Sequence, residues 1–165
     1  RCCPATCWNA FRMQRQQNSV TILFMDKKMI ANELLLEDAA QLMNEGREIS
    51  FTPRGNSMLP FIKGDKDSVR LKKMKDVNVG DILLVRLPGP RYVLHRLIRK
   101  EGDALTLMGD GNITGVETCT TADVLGTVTA IIKKNRTVTP GKGRVWKLLK
   151  PLRRYILGIY RRIAL

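Results

Sequence analysis

Two residues in this chain could do chemistry together: the serine of Gly55-Asn56-Ser57-Met58-Leu59-Pro60 and the single histidine, His95. A serine hydroxyl is a poor nucleophile until a neighbouring base takes its proton during attack on a carbonyl. With one histidine in 165 residues, any imidazole base must be His95, 38 positions after the serine. A carboxylate would complete the set by orienting the imidazole and stabilising its protonated form. Asp110, inside Gly109-Asp110-Gly111-Asn112, is the first choice, Glu117 the second and Asp123 a third. Arg96 and Arg99 stay protonated and cannot act as the base, and Lys100 would need strong desolvation to lose its proton. Taken singly, a serine in a Gly/Pro-flanked turn is usually a turn residue, and an aspartate between glycines usually bonds nearby amides. Their order and local sequence carry the reading.

The elements that must position these groups follow from periodicity. Leu35, Leu36, Ala39, Leu42 and Met43 recur at helical spacing, which predicts an amphipathic helix over Asn32–Glu45 with Gly46 just past its end. The segments 49–52, 68–71, 81–87, 92–99, 104–108 and 124–133 are rich in Val, Ile and Leu and separated by Gly/Pro/Asn/Asp turns, which predicts strands. Short strands at this spacing imply a mainly β, folded-over, barrel-like domain. Residues 1–24 show no clean period and read as an extension outside the natural folded unit. The catalytic domain is expected over 29–136, a Pro/Gly linker over 137–143 and a basic amphipathic helix over 144–165.

The motifs themselves resemble a known family. Gly55-Asn56-Ser57-Met58-Leu59-Pro60 is similar to the nucleophile box of the signal peptidase and SOS-repressor clan of serine peptidases (S24/S26), where Ser-Met and a nearby Pro recur. Val79-Gly80-Asp81-Ile82-Leu83 looks like the strand entry that follows it. Val93-Leu94-His95-Arg96-Leu97-Ile98 resembles the His-Arg box of the endoplasmic-reticulum and archaeal-type signal peptidases, whereas bacterial-type relatives use lysine as base. Gly109-Asp110-Gly111-Asn112 and Asp123-Val124-Leu125-Gly126 resemble the two closing boxes. The similarity spans about 49–133.

The resemblance implies a serine endopeptidase acting on an extended peptide of signal or leader type, with small residues near the cut. The oxyanion hole would use the backbone N–H groups of Ser57 and Met58, and Gly55, Asn56 and Leu94 would contact substrate. Such chemistry calls for no metal or cofactor. Where relatives commonly place serine two residues before the nucleophile, this chain has Gly55. Losing one oxyanion donor costs on the order of 10²–10³ in rate, so an inactive relative that binds peptide or membrane is the alternative. A self-cleaving regulator would need a DNA-binding domain, and residues 25–56 hold one predicted helix.

Charge is uneven. Of the formal +14, residues 1–24 contribute +3 and residues 144–165 contribute +7, with no acid in either, leaving +4 for the middle. Trp146, Lys147, Lys150, Arg153, Arg154, Arg161 and Arg162 belong to a terminal segment with one apolar stripe and a basic opposite face, the pattern of an interfacial helix. An anionic membrane surface is the expected partner beside the peptide, with no nucleic acid expected and a peripheral location on the cytoplasmic face. Pro151 should break this helix near its start. Cys2, Cys3 and Cys7 crowd the N-terminus and only Cys119 lies in the body, which fits neither a disulfide framework nor a zinc site.

Overall fold

The computed structural model describes residues 29–164, except Pro90 and the stretch 145–147. The expected extension 1–24, and with it Cys2, Cys3 and Cys7, lies outside the described residues, as do Trp146 and Lys147. The fold is mainly β, a curled half-barrel sheet with one helix on its N-terminal side and another at the C-terminus.

Helix α1 runs Met29–Asn44. It ends in a Schellman turn: Gly46 N–H donates to the Met43 carbonyl and Arg47 N–H to the Leu42 carbonyl, with Gly46 at φ +84°. Ala39 and Met43 are buried against the sheet, and Leu36 and Leu42 are half-buried beside them. Eight strands follow: β1 Ile49–Phe51, β2 Ser68–Lys72, β3 Ile82–Leu87, β4 Arg91–Glu101, β5 Ala104–Met108, β6 Glu117–Thr120, β7 Val124–Lys133 and β8 Arg136–Val138. They form one antiparallel sheet in the order β1-β2-β7-β3-β4-β5-β6, with β8 folded back on β7. Register shifts at Arg70/Leu71, Leu84/Val85 and Leu97/Arg99 add residues to one strand of a pair. Such bulges bend and twist a sheet, which accounts for the curl.

Curling buries both sides of the central strand. Along β3, Ile82 and Leu84 join the cluster under α1, with Val69, Leu71 and Val128, while Leu83, Val85 and Leu87 join a second cluster with Leu97, Leu105 and Leu107. The alternation has period two, as side chains on a strand must. Burial on both faces also explains why β3 opens with the continuous apolar run Ile82–Val85. The stretch 137–143, expected as a linker, is tied to the body. Thr137 and Val138 complete β8, and the Gly141 carbonyl accepts from Arg96 Nη1 at 2.6 Å.

After a 3-10 turn at Lys150–Leu152, helix α2 spans Arg153–Ala164. Pro151 sits in that turn and not in the helix, as its missing N–H requires. The apolar residues of this segment are divided between two faces. Leu157 is fully buried against Leu59, with Phe61, Leu149, Ile156 and Tyr160 half-buried around the pair. Leu148, Leu152, Tyr155 and Ile159 point to solvent. Leu157→Ala should destabilise the fold by about 2–5 kcal/mol, the range for deleting a buried leucine side chain, read as a lowered urea midpoint.

Candidate active site

Ser57 lies on a short helical turn between β1 and β2. Three backbone bonds shape it: Leu59 N–H to the Asn56 carbonyl, and Phe61 and Ile62 N–H to the Met58 carbonyl. Met58 and Leu59 are buried, which anchors the turn, while Ser57 is half-buried. The N–H groups of Ser57 and Met58 donate to no protein acceptor among the described residues, which leaves them open for an oxyanion. Gly55 has φ +83°. Its neighbourhood is open, but a side chain there would be held in the left-handed region at a cost of about 1–2 kcal/mol. A serine at this position would therefore be strained, whatever its hydroxyl could donate.

The Gly-Asp-Gly-Asn turn lies directly against the serine turn. Gly111 N–H donates to the Ser57 carbonyl at 2.7 Å. A Cβ on Gly109 would stand 2.5 Å from that carbonyl oxygen, and one on Gly111 would stand 2.4 Å from the Asn56 carbonyl oxygen. Only glycine allows this approach. Gly64 has the same role from the other side, where a Cβ would meet the Gly55 carbonyl oxygen at 2.0 Å.

His95 sits in β4 opposite Leu83 of β3 and is 5% exposed. Its Nδ1 is hydrogen-bonded to Glu117 Oε2, and Glu117 Oε1 accepts from Arg91 Nη2 at 2.5 Å. Glu117 is placed by β6, whose pairing with β5 sets it opposite Leu107. A carboxylate on Nδ1 holds the proton there and leaves Nε2 as the basic nitrogen. Ser57 and His95 line one cavity of about 280 Å³, together with Gly55 and Leu94. No hydrogen bond joins the serine and histidine side chains in this arrangement. Such couples are commonly loose until substrate is seated.

Asp110, the first choice for orienting the imidazole, is engaged elsewhere. Both its oxygens accept from Arg96, with Nε at 2.9 and 3.0 Å and Nη2 at 2.7 Å. Arg96 Nη1 also donates to the Gly80 carbonyl at 2.7 Å, and the guanidinium lies 5.5 Å from the Phe61 ring centre. The pair is buried and ties the Gly109–Asn112 turn to the sheet. Asp123 is also accounted for: it accepts from the Thr120 N–H and hydroxyl, both at 2.7 Å, which hold its carboxyl below the ordinary carboxylate range. Asn56 is exposed, and its carbonyl accepts from Leu59 instead of lining the cavity. Cys119 is a free, half-buried thiol, pushed up to about 11 by burial and by the nearby Asp123.

The expected membrane face changes membership. Arg153 is buried and cannot face lipid; its Nη1 donates to the Asn112 carbonyl at 3.3 Å, and burial lowers its affinity for its proton. Arg154 and Arg162 are exposed. Trp146 and Lys147 are outside the described residues, and the side chains of Lys150 and Arg161 are outside the described ones. Arg91 and Leu157 were missed by sequence reasoning. A basic residue four positions before the histidine on the same strand was the available signal for Arg91.

Among known proteins, no family model and no curated sequence matches the chain.

Proposed function

We propose that the chain is a serine endopeptidase of the signal peptidase-like type, cleaving an extended signal or leader peptide. The observation that carries this reading is the convergence of Ser57 and His95 on one cavity, with the imidazole held from behind by Glu117. In this mechanism Ser57 Oγ attacks the scissile carbonyl while His95 Nε2 takes its proton. The developing oxyanion is stabilised by the N–H groups of Ser57 and Met58, and Glu117 stabilises the imidazolium. His95 then protonates the leaving amine, and water, deprotonated by His95, hydrolyses the acyl-serine. The substrate backbone binds extended, as peptides do along exposed strand edges. Acylation of Ser57 by a serine-reactive probe, lost in Ser57→Ala and His95→Ala, tests the reading.

A second reading, a peptide binder without hydrolysis, is favoured by Gly55 at the expected donor position and by the missing Ser57–His95 hydrogen bond. Peptide binding by the parent chain without cleavage would support it.

The protein is further proposed to attach peripherally to the cytoplasmic face of a membrane through α2. No helix among the described residues is long and apolar enough to cross one. The support is the set of exposed apolar residues in α2 and just before it, Leu148, Leu152, Tyr155 and Ile159, with the exposed Arg154 and Arg162 in the same segment. Each basic residue near an anionic surface contributes about 1 kcal/mol. Replacing Leu152 and Ile159 by serine should reduce co-sedimentation with phosphatidylserine vesicles about tenfold or more, because their burial in lipid is lost. Both residues are exposed, so the fold should be retained; undiminished binding would sink the proposal.

A further inference from the structure

The resemblance implies small residues beside the cut, yet the cavity that Ser57 and His95 share is roomier than that and mainly apolar, with Thr52, Arg54 and Tyr92 forming the rest of its polar part. It measures about 280 Å³, and its apolar wall comprises Leu36 of α1, Phe51 of β1, Met58 and Ile62 after the serine, Leu84 of β3 and Leu94 of β4. An apolar protein cavity of about 150 Å³ is large enough to hold benzene. A phenyl or isobutyl group would therefore fit here with room to spare, whereas an alanine methyl would leave most of the wall unmatched.

We infer that this cavity receives a bulky apolar side chain, aliphatic or aromatic, from the substrate residue whose carbonyl Ser57 attacks. The inference rests on the peptidase reading above. Of all substrate side chains, that one is bonded to the carbon next to the attacked carbonyl, so it enters the space that serine and histidine border. The wall is drawn from five separate parts of the chain that fold together around the nucleophile. Much of it comes from the buried cluster under α1, to which Met58, Ile62, Leu84 and Leu94 belong. A hydrocarbon side chain placed there leaves water for a protein-like interior, a gain of about fourfold in binding per methylene.

The test uses three aminoalkyl diphenyl phosphonates that differ only in this side chain: methyl, isobutyl and benzyl. Ser57 Oγ displaces one phenoxide at phosphorus, and intact mass follows the adduct with time. A fluorophosphonate lacking any amino-acid side chain is run beside them. The isobutyl and benzyl compounds should label Ser57 about 10–100-fold faster than the methyl compound, the range for burying three or more additional carbons. Leu36→Trp, which narrows the cavity from the α1 side, should shrink that ratio. Equal rates, or a faster methyl compound, overturn the inference and leave the peptidase reading standing. Labelling by the fluorophosphonate alone has the same meaning. Failure of all four reagents overturns both.

Discussion

Replacing Ser57 or His95 with alanine should each lower the rate of peptide hydrolysis by about 10⁴–10⁶-fold, and the double variant should fall no further. The two groups act as one unit, because the proton leaves Ser57 Oγ for the imidazole in the same step that forms the bond to carbon. Once either is gone, the other has nothing to do. What remains is the contribution of the oxyanion donors and of substrate binding. Ser57→Ala should leave stability close to the parent's, since the hydroxyl makes no hydrogen bond with another described residue. His95→Ala leaves Glu117 paired with Arg91, so no carboxylate is stranded by the change. Steady-state rates on a cleavable peptide, with urea melts of the same samples, check both parts. Independent, additive losses would show that serine and histidine do not share a step.

The second large effect separates the two carboxylates. Glu117→Gln keeps the shape of the side chain and removes the charge that stabilises the imidazolium. By analogy with loss of the triad carboxylate in serine proteases, kcat should fall by about 10²–10⁴-fold. Stability should barely move, because the amide oxygen can still accept from His95 Nδ1 and the Arg91–Glu117 pair, with Arg91 largely exposed, contributes at most about 1 kcal/mol. Asp110→Asn should behave in the opposite way. Arg96 and Asp110 are 5% and 2% exposed, and removing one partner of a buried pair strands the other charge at a cost of about 3–5 kcal/mol. Any effect on kcat would come indirectly, through the Gly109–Asn112 turn that braces the Ser57 carbonyl. Full activity in Glu117→Gln together with a stable, inactive Asp110→Asn would reverse these roles.

The confusion between these carboxylates in the sequence has a physical origin. His95 and Arg96 are neighbours on β4, and neighbours on a strand project to opposite faces. An acid that reaches one does not reach the other. The chain after Arg96 offers several acids, and spacing alone does not say which acid folds to which face. The register of β5 with β6 decides it by setting Glu117 beside Leu107, and β6 was invisible beforehand. Its sequence, Glu-Thr-Cys-Thr, is polar and only half-buried at the sheet edge, so it lacks the Val, Ile and Leu content that marks the other strands. Thr137 and Val138, the last two residues of β8, fell within the expected linker because a three-residue strand is too short to show a pattern.

What was legible shared one property: apolar side chains concentrated where the element is buried, at helical spacing in α1 and as Val/Ile/Leu-rich runs between turn residues in the strands. Helix α1 with its Gly46 terminus, and the strands beginning at Ile49, Ser68, Ile82, Arg91, Ala104 and Val124, were recognisable this way to within a few residues. The terminal segment was half legible. The break expected at Pro151 is present as a 3-10 turn, but one apolar stripe was expected on both sides of it, and the turn resets the phase. The stripe therefore merged residues that pack on the body, such as Ile156 and Tyr160, with residues that face solvent, such as Leu152 and Ile159. Nothing local marks Arg153 as buried; only the tertiary placement of Asn112 and Met108 does so.

The most direct measurement is intact-mass analysis of the parent, Ser57→Ala and His95→Ala after incubation with a fluorophosphonate, which needs no knowledge of the natural substrate. An activated Ser57 with His95 as its base predicts one adduct on the parent and none on either variant over the same period. An unmodified parent, or an adduct that persists in Ser57→Ala, would contradict the assignment of this cavity as a serine peptidase site.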